Sequence, residues 1–215
     1  MKLLNILLIT AAILSIAFKP AGEDFTPVKD IDGFIEIIQD YTSKTKTIQS
    51  NFTQEKHLTM LEEVLISNGH FYFQKENNVR WEYTAPIDYA IIVHEGKFTI
   101  WDGKKTQDYR IESNRMFTEI NNMIVTSVSG DFLNNPDFES AYFENDTFYL
   151  VKLFPVIPEV KDMLSSIEIY FEKSNISVTM VKFQEPGEDY TLISFSDIRI
   201  NEELPEQVFK FDFIK

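Results

Sequence analysis

From Thr47 onward the chain alternates large apolar and polar side chains with a period of two, the spacing of strands buried on one face. The pattern is densest between Gly69 and Trp101. Phe71 and Phe73 fall on one face of a strand, and Val79, Trp81 and Tyr83 on one face of the next. Short polar turns separate them, as at Lys75-Glu76-Asn77-Asn78 and Glu95-Gly96. The alternation predicts strands at 47–57, 62–74, 79–84, 88–94, 97–102 and 105–110. It resumes at 139–143, 147–153, 165–173, 176–184, 189–200 and 208–213. Connections this short favour antiparallel pairing of neighbours.

Two segments follow a helical period instead. Ile31, Phe34, Ile35, Ile38 and Tyr41 form one apolar stripe over 31–42, with Asp30 or Asp32 placed to cap it. Phe117, Ile120, Ile124 and Val128 form a second over 116–129, which Gly130 would stop. No internal repeat or linker divides the rest. The predicted architecture is one curved antiparallel sheet of ten or more strands with two or three helices, mainly β. A sheet of that size tends to curl or to close on itself.

The N-terminus changes the picture of where this domain works. Met1-Lys2 is followed by an apolar run from Leu3 to Phe18, then by small residues at Ala21 and Gly22. That is the layout of a secretory signal peptide, here placed at 1–22, with 23–215 as a single exported domain. The run is short for a membrane span and Lys19-Pro20 ends it. The chain contains no cysteine, so neither a disulfide nor an acylated N-terminal cysteine holds it. Its net charge is −14, and loss of Lys2 and Lys19 with the leader makes it more negative. Such a balance argues against nucleic acid and against adsorption on anionic lipid.

Catalytic signals are absent. There is no cysteine nucleophile, Gly-x-Ser-x-Gly, phosphate loop or His-Glu-x-x-His. His57, His70 and His94 fall on three different predicted strands. The acid pairs Glu62-Glu63 and Glu202-Glu203 read as solvated turns in a chain with 34 acids. The expectation is a non-enzyme without metal or cofactor. The aromatic stripes admit two readings, an ordinary core or the wall of a cavity.

The order of segments resembles the LolA family of periplasmic outer-membrane lipoprotein carriers. The residues that carry the likeness are Ser50-Asn51-Phe52-Thr53-Gln54, Gly69 with its aromatic strand, Arg80-Trp81-Glu82-Tyr83-Thr84-Ala85-Pro86, and Ile91-Ile92-Val93 before Glu95-Gly96-Lys97. The resemblance implies an incomplete, half-open antiparallel β-barrel whose apolar concavity is closed by a helical plug and lid. It implies acyl-binding roles for Phe71, Phe73, Val79, Trp81, Tyr83 and Ile92. Phe34 and Ile38 would belong to the plug, and Phe117, Ile120, Ile124 and Val128 to the lid. Lys75 stands where relatives place a lid-closing Arg, and it keeps the charge without the planar fork. Trp101-Asp102-Gly103 also departs from the family pattern. The missing cysteine argues against the acylated receptor of the same fold.

On this resemblance the expected protein is a soluble periplasmic monomer. It would take acylated lipoproteins from an inner-membrane ABC-type release complex to the outer membrane, or to a receptor there. Two alternatives stay open: a carrier of another envelope lipid or glycolipid, and a periplasmic binding or sensor module that carries nothing. A glutamate in place of Trp81 is expected to abolish acyl binding while sparing the fold.

Overall fold

The computed structural model describes residues 24–75, 78–110, 133, 135–205 and 207–210. Twelve strands form one antiparallel sheet in the order β1-β8-β9-β10-β11-β12-β2-β3-β4-β5-β6-β7. The strands are β1 (Thr26–Pro27), β2 (Thr47–His57), β3 (Leu65–Gln74), β4 (Asn78–Ala85), β5 (Tyr89–His94) and β6 (Lys97–Trp101), then β7 (Thr106–Arg110) and β8 (Phe138–Glu144). The last four are β9 (Phe148–Pro155), β10 (Ser166–Glu172), β11 (Val178–Gln184) and β12 (Tyr190–Ile200). β12 returns beside β2, so the chain's two halves become one sheet. The edges β1 and β7 do not pair with each other, and the sheet stays open.

Strand alternation sorts the side chains into two faces. Cross-strand register carries one row through Ile193, Val181, Ile169 and Val151. Another row runs through Ser50, Phe71, Trp81, Ile91 and Ile100. These rows share a mainly apolar face that runs from β8 to Gln107 and Tyr109 on β7. Phe183 and Phe195 pack against both of its buried clusters and join them.

Helix α1 (Ile31–Lys44) crosses this face. Asp30 caps it, its carboxylate accepting from Gly33 N at 3.0 Å. Phe34 and Ile38 are buried, with the Phe34 ring 5.3 Å from Tyr142 and 4.9 Å from Tyr149. Burial of each contributes about 1.5–3 kcal/mol. The helix ends beside the turn after β12: Asn201 Nδ2 donates to Lys44 O, and Asn201 Oδ1 accepts from Lys46 N. α1 therefore lies toward the end of the trough where the β8–β9, β10–β11 and β12 connections gather. A one-turn helix, α2 (Pro158–Lys161), stands at the opposite end.

Gly69 shows how tightly the trough is packed. A Cβ there would lie 1.9 Å from Glu82 O and 2.6 Å from Phe52 Cζ. The β3–β4 register shifts at this point, between Asn68 and Gly69. Backbone cannot yield as a flexible side chain does, so Gly69→Ala is expected to destabilise by about 2–3 kcal/mol, the upper part of the overpacking range. Urea unfolding checks this, and an unchanged midpoint would refute the close contact.

The other face carries a buried patch of its own. Tyr72, Arg80 and Ile92 are buried there under Val208 and Phe209. Two expectations are corrected here. Ile92 pairs with Arg80, whereas Trp81 pairs with Ile91, so Ile92 points away from the trough. Residues 207–209 form a turn rather than the start of a strand, with Val208 N bonded to Pro205 O and Lys210 N to Gln207 O. Arg80 Nη1 takes the carbonyls of Val208 and Lys210, at 3.0 and 3.3 Å, and so fixes that turn against the sheet.

Candidate functional site

The apolar face forms the candidate site. Phe71, Phe73, Val79 and Trp81 come together in one buried cluster, and Tyr83 packs against it. The Trp81 ring lies 4.7 Å from Phe52, 5.1 Å from Phe71 and 6.0 Å from Phe195, and Phe52 meets Tyr83 edge-on at 5.1 Å. These tilted and edge contacts are the favoured aromatic geometries. The rings fill the middle of the trough with one another.

Polar groups on this face are few. Tyr83 Oη donates to Gln54 Oε1 at 2.9 Å, and burial pushes its hydroxyl pKa up to about 12. It stays neutral across the physiological range. Ser50 Oγ is buried without a hydrogen-bond partner among the described residues. The lining is thus a neutral, largely apolar surface.

Phe34 and Ile38, expected in the plug, sit on α1 in the neighbouring cluster with Val151, Ile169 and Phe171. Lys75 Nζ donates to Ser43 O at 3.0 Å, near the C-terminus of that helix. This is a favourable place for a cation. Lys75 thus contacts α1. The predicted lid residues Phe117, Ile120, Ile124 and Val128 lie outside the described residues, as does the 1–22 leader.

The alternation reading missed several lining residues. Phe52 follows Ile48 and Ser50 on one face of β2, and Phe98 and Ile100 alternate on β6. The same period of two would have found them. Phe183 and Phe195 come from strands far along the chain, and only the β12–β2 pairing brings them here.

The histidines are separately occupied. His57 lies 3.2 Å from Glu55, His70 Nδ1 2.8 Å from Asn51, and His94 Nδ1 2.7 Å from Asn78. Among the described residues no group of three or more His, Cys, Asp or Glu is placed to hold a metal. No helix among them is long and apolar enough to cross a membrane.

The model of the outer membrane lipoprotein carrier protein LolA family matches residues 43–212. The chain belongs to the LolA family. The outer-membrane lipoprotein carrier protein of Pseudomonas putida KT2440 is 26% identical over 221 residues, covering 100% of this chain and 97% of the relative. The protein of the same description from strain GB-1 gives the same identity and coverage, 26% over 221 residues. A LolA superfamily protein of known structure from Nitrosomonas europaea is 12% identical, with a TM-score of 0.45, covering 85% of this chain and 98% of that one. The curated relatives are named as carriers, not as enzymes. The open twelve-stranded antiparallel sheet matches a LolA-like fold.

Proposed function

We propose that this protein carries the acyl chains of lipoproteins in the trough and moves them from the inner to the outer membrane through the periplasm. The observation that supports this most is a continuous apolar face on an open sheet, covered in part by α1. An ordinary core has two opposed layers of regular structure. Among the described residues, one face of the sheet meets a helix over one half and its own aromatic rings over the other.

Transfer through water is the physical problem. Each methylene taken out of water is worth about 0.8 kcal/mol, so three acyl chains represent tens of kcal/mol. A soluble carrier replaces that burial with protein surface. It also has to release the cargo without consuming it. Rings that pack on each other when the carrier is empty, and on acyl chains when it is loaded, keep the difference between the two states small. They also hide a surface that would otherwise be sticky. Loading would come from an ABC-type release complex in the inner membrane, and the 1–22 leader would direct export.

Native mass spectrometry of the protein isolated from its own envelope tests the reading. A co-purifying acylated protein is the expected result. A free lipid in its place would make the protein a lipid carrier. An empty protein that also refuses acylated peptide in vitro would overturn carriage altogether.

A further inference from the structure

One part of the trough holds more hydrogen-bond donors than it uses. Gln54 on β2 and Tyr83 on β4 meet across β3, where Gly69 stands between Phe52 and Tyr83 and brings no side chain of its own. Tyr83 Oη donates to Gln54 Oε1 at 2.9 Å. The indole N–H of Trp81 lies near the same hydroxyl and opposes the rise of its pKa, yet it makes no hydrogen bond of good geometry. Trp81 is only 7% exposed. Ser50, 3% exposed, stands in the same row as Trp81 with Phe71 between them, and its Oγ has no partner among the described residues. Gln54 Nε2 has none there either.

The chemistry of these groups limits what can answer them. With the indole N–H facing the Tyr83 oxygen, the phenol proton goes to Gln54 Oε1, and that carbonyl is occupied. What remains is mainly donors: the Gln54 amide N–H, the Trp81 N–H and the Ser50 O–H. A buried donor without an acceptor costs stability, so a ligand that supplies acceptors gains what the empty protein forgoes. The ligand group must also be uncharged. The rows from Ile193 to Ser67, from Phe195 to Tyr89 and from Ser50 to Gln107 contain no Lys, Arg, Asp or Glu. A carboxylate there would be buried without a cation, which is costly. A hydroxyl, an ammonium or an amide would bring a further donor to a place already rich in them. An ester carbonyl accepts, donates nothing and carries no charge.

We propose that Gln54, Trp81 and Ser50 form a donor cluster that binds the ester carbonyls of an O-acylated glycerol group, and so selects ester-linked acyl chains. The inference rests on the carrier reading and adds to it a polar determinant inside the trough. Tyr83 is the positioning residue: it holds the Gln54 amide with its Nε2 side turned away from the phenol. The apolar rings take the chains by hydrophobicity alone and cannot tell an acyl chain from an alkyl chain. The donors can, because only the ester supplies acceptors at the head of the chain. The ester could come from the diacylglyceryl group of a lipoprotein or from a free glycerolipid, since both carry the same linkage.

Ligands that differ only in the carbonyls test it. One pair is a peptide carrying S-dipalmitoylglyceryl cysteine and its dihexadecyl ether analogue; the other is dipalmitoyl phosphatidylethanolamine and its diether counterpart. The protein is expressed as the full chain and recovered as the cell makes it, and the ratio of ether to ester Kd is measured by calorimetry. Wild type is expected to bind the ester peptide about tenfold more tightly than the ether, the effect of one or two hydrogen bonds. Gln54→Met combined with Ser50→Ala is expected to bring that ratio to about one. Ser50→Ala alone is expected to lower it about threefold, and it carries the test if the double variant does not fold. A merely structural role for these side chains would change the melting temperature and leave the ratio in place. Equal wild-type affinity for ester and ether in both pairs, or a ratio that the variants do not lower, would overturn the carbonyl site and leave carriage intact. An ester preference in the phospholipid pair alone would keep the site and make a free glycerolipid its source. Binding of none of the four ligands by folded wild type would overturn the carrier reading and the carbonyl site with it.

Discussion

Arg80→Ala is expected to cost about 3–5 kcal/mol of stability and to free the C-terminal turn, the larger part of the loss coming from a stranded charge. Arg80 has 0% of its side chain exposed, and its Nε pairs with Glu82 at 3.0 Å. A guanidinium in that position is tolerable because Glu82 answers its charge at Nε and the carbonyls of Val208 and Lys210 answer Nη1. Alanine leaves Glu82, only 14% exposed, facing an apolar patch of Tyr72, Ile92, Val208 and Phe209. The turn then loses its attachment as well as its packing. Two measurements check this. Urea unfolding reads the stability, and limited proteolysis reads cleavage near residue 207. Arg80→Met with Glu82→Leu is the informative companion, since an apolar pair of similar volume can replace a buried ion pair at little cost. Recovery of most of the stability in that double variant is expected. If it is as unstable as Arg80→Ala, then the carbonyl contacts rather than the stranded carboxylate hold the structure.

That residue also marks the limit of what alternation reveals. The period of two located the strands, because one face of each is buried and the other is not. α1 was legible from its stripe and from Asp30, which does cap it. Phe71, Phe73, Val79, Trp81 and Tyr83 could be assigned to one face by parity alone. Parity also placed Ile92 opposite Ile91, yet the family likeness drew it into the cavity, and the observed register returns it to the back of the sheet. Arg80 between Val79 and Trp81 is, by parity, on the opposite face from the trough. Nothing local distinguishes an outward strand residue facing water from one covered by a segment more than a hundred residues later. Residues 208–210 misled for the same reason, the rest of that predicted strand lying outside the described residues: Val208 and Phe209 are apolar because they cover that patch, and they do so from a turn.

Trp81→Glu is expected to abolish acyl binding, lowering affinity by at least about a hundredfold, or some 2.7 kcal/mol. The sequence alone leads to the further expectation that the fold would be spared, and the structure revises it. The indole is 7% exposed and sits among Phe52, Phe71 and Phe195. A carboxylate there either takes up a proton or forces the rings apart, and removal of the indole alone costs about 3–5 kcal/mol. Loss of binding must therefore be separated from loss of folding. Trp81→Phe does so, because it removes part of the ring and adds no charge. It is expected to weaken acyl-peptide binding only a few-fold while losing a measurable share of the stability. Binding by both variants, measured at a temperature where each is folded by circular dichroism, decides between two roles for this residue. If the glutamate variant is folded and still binds acylated peptide like wild type, Trp81 is core and the cargo lies elsewhere. If it is folded and does not bind, the trough is the cargo site, and the aromatic rings that fill it are what the acyl chains displace.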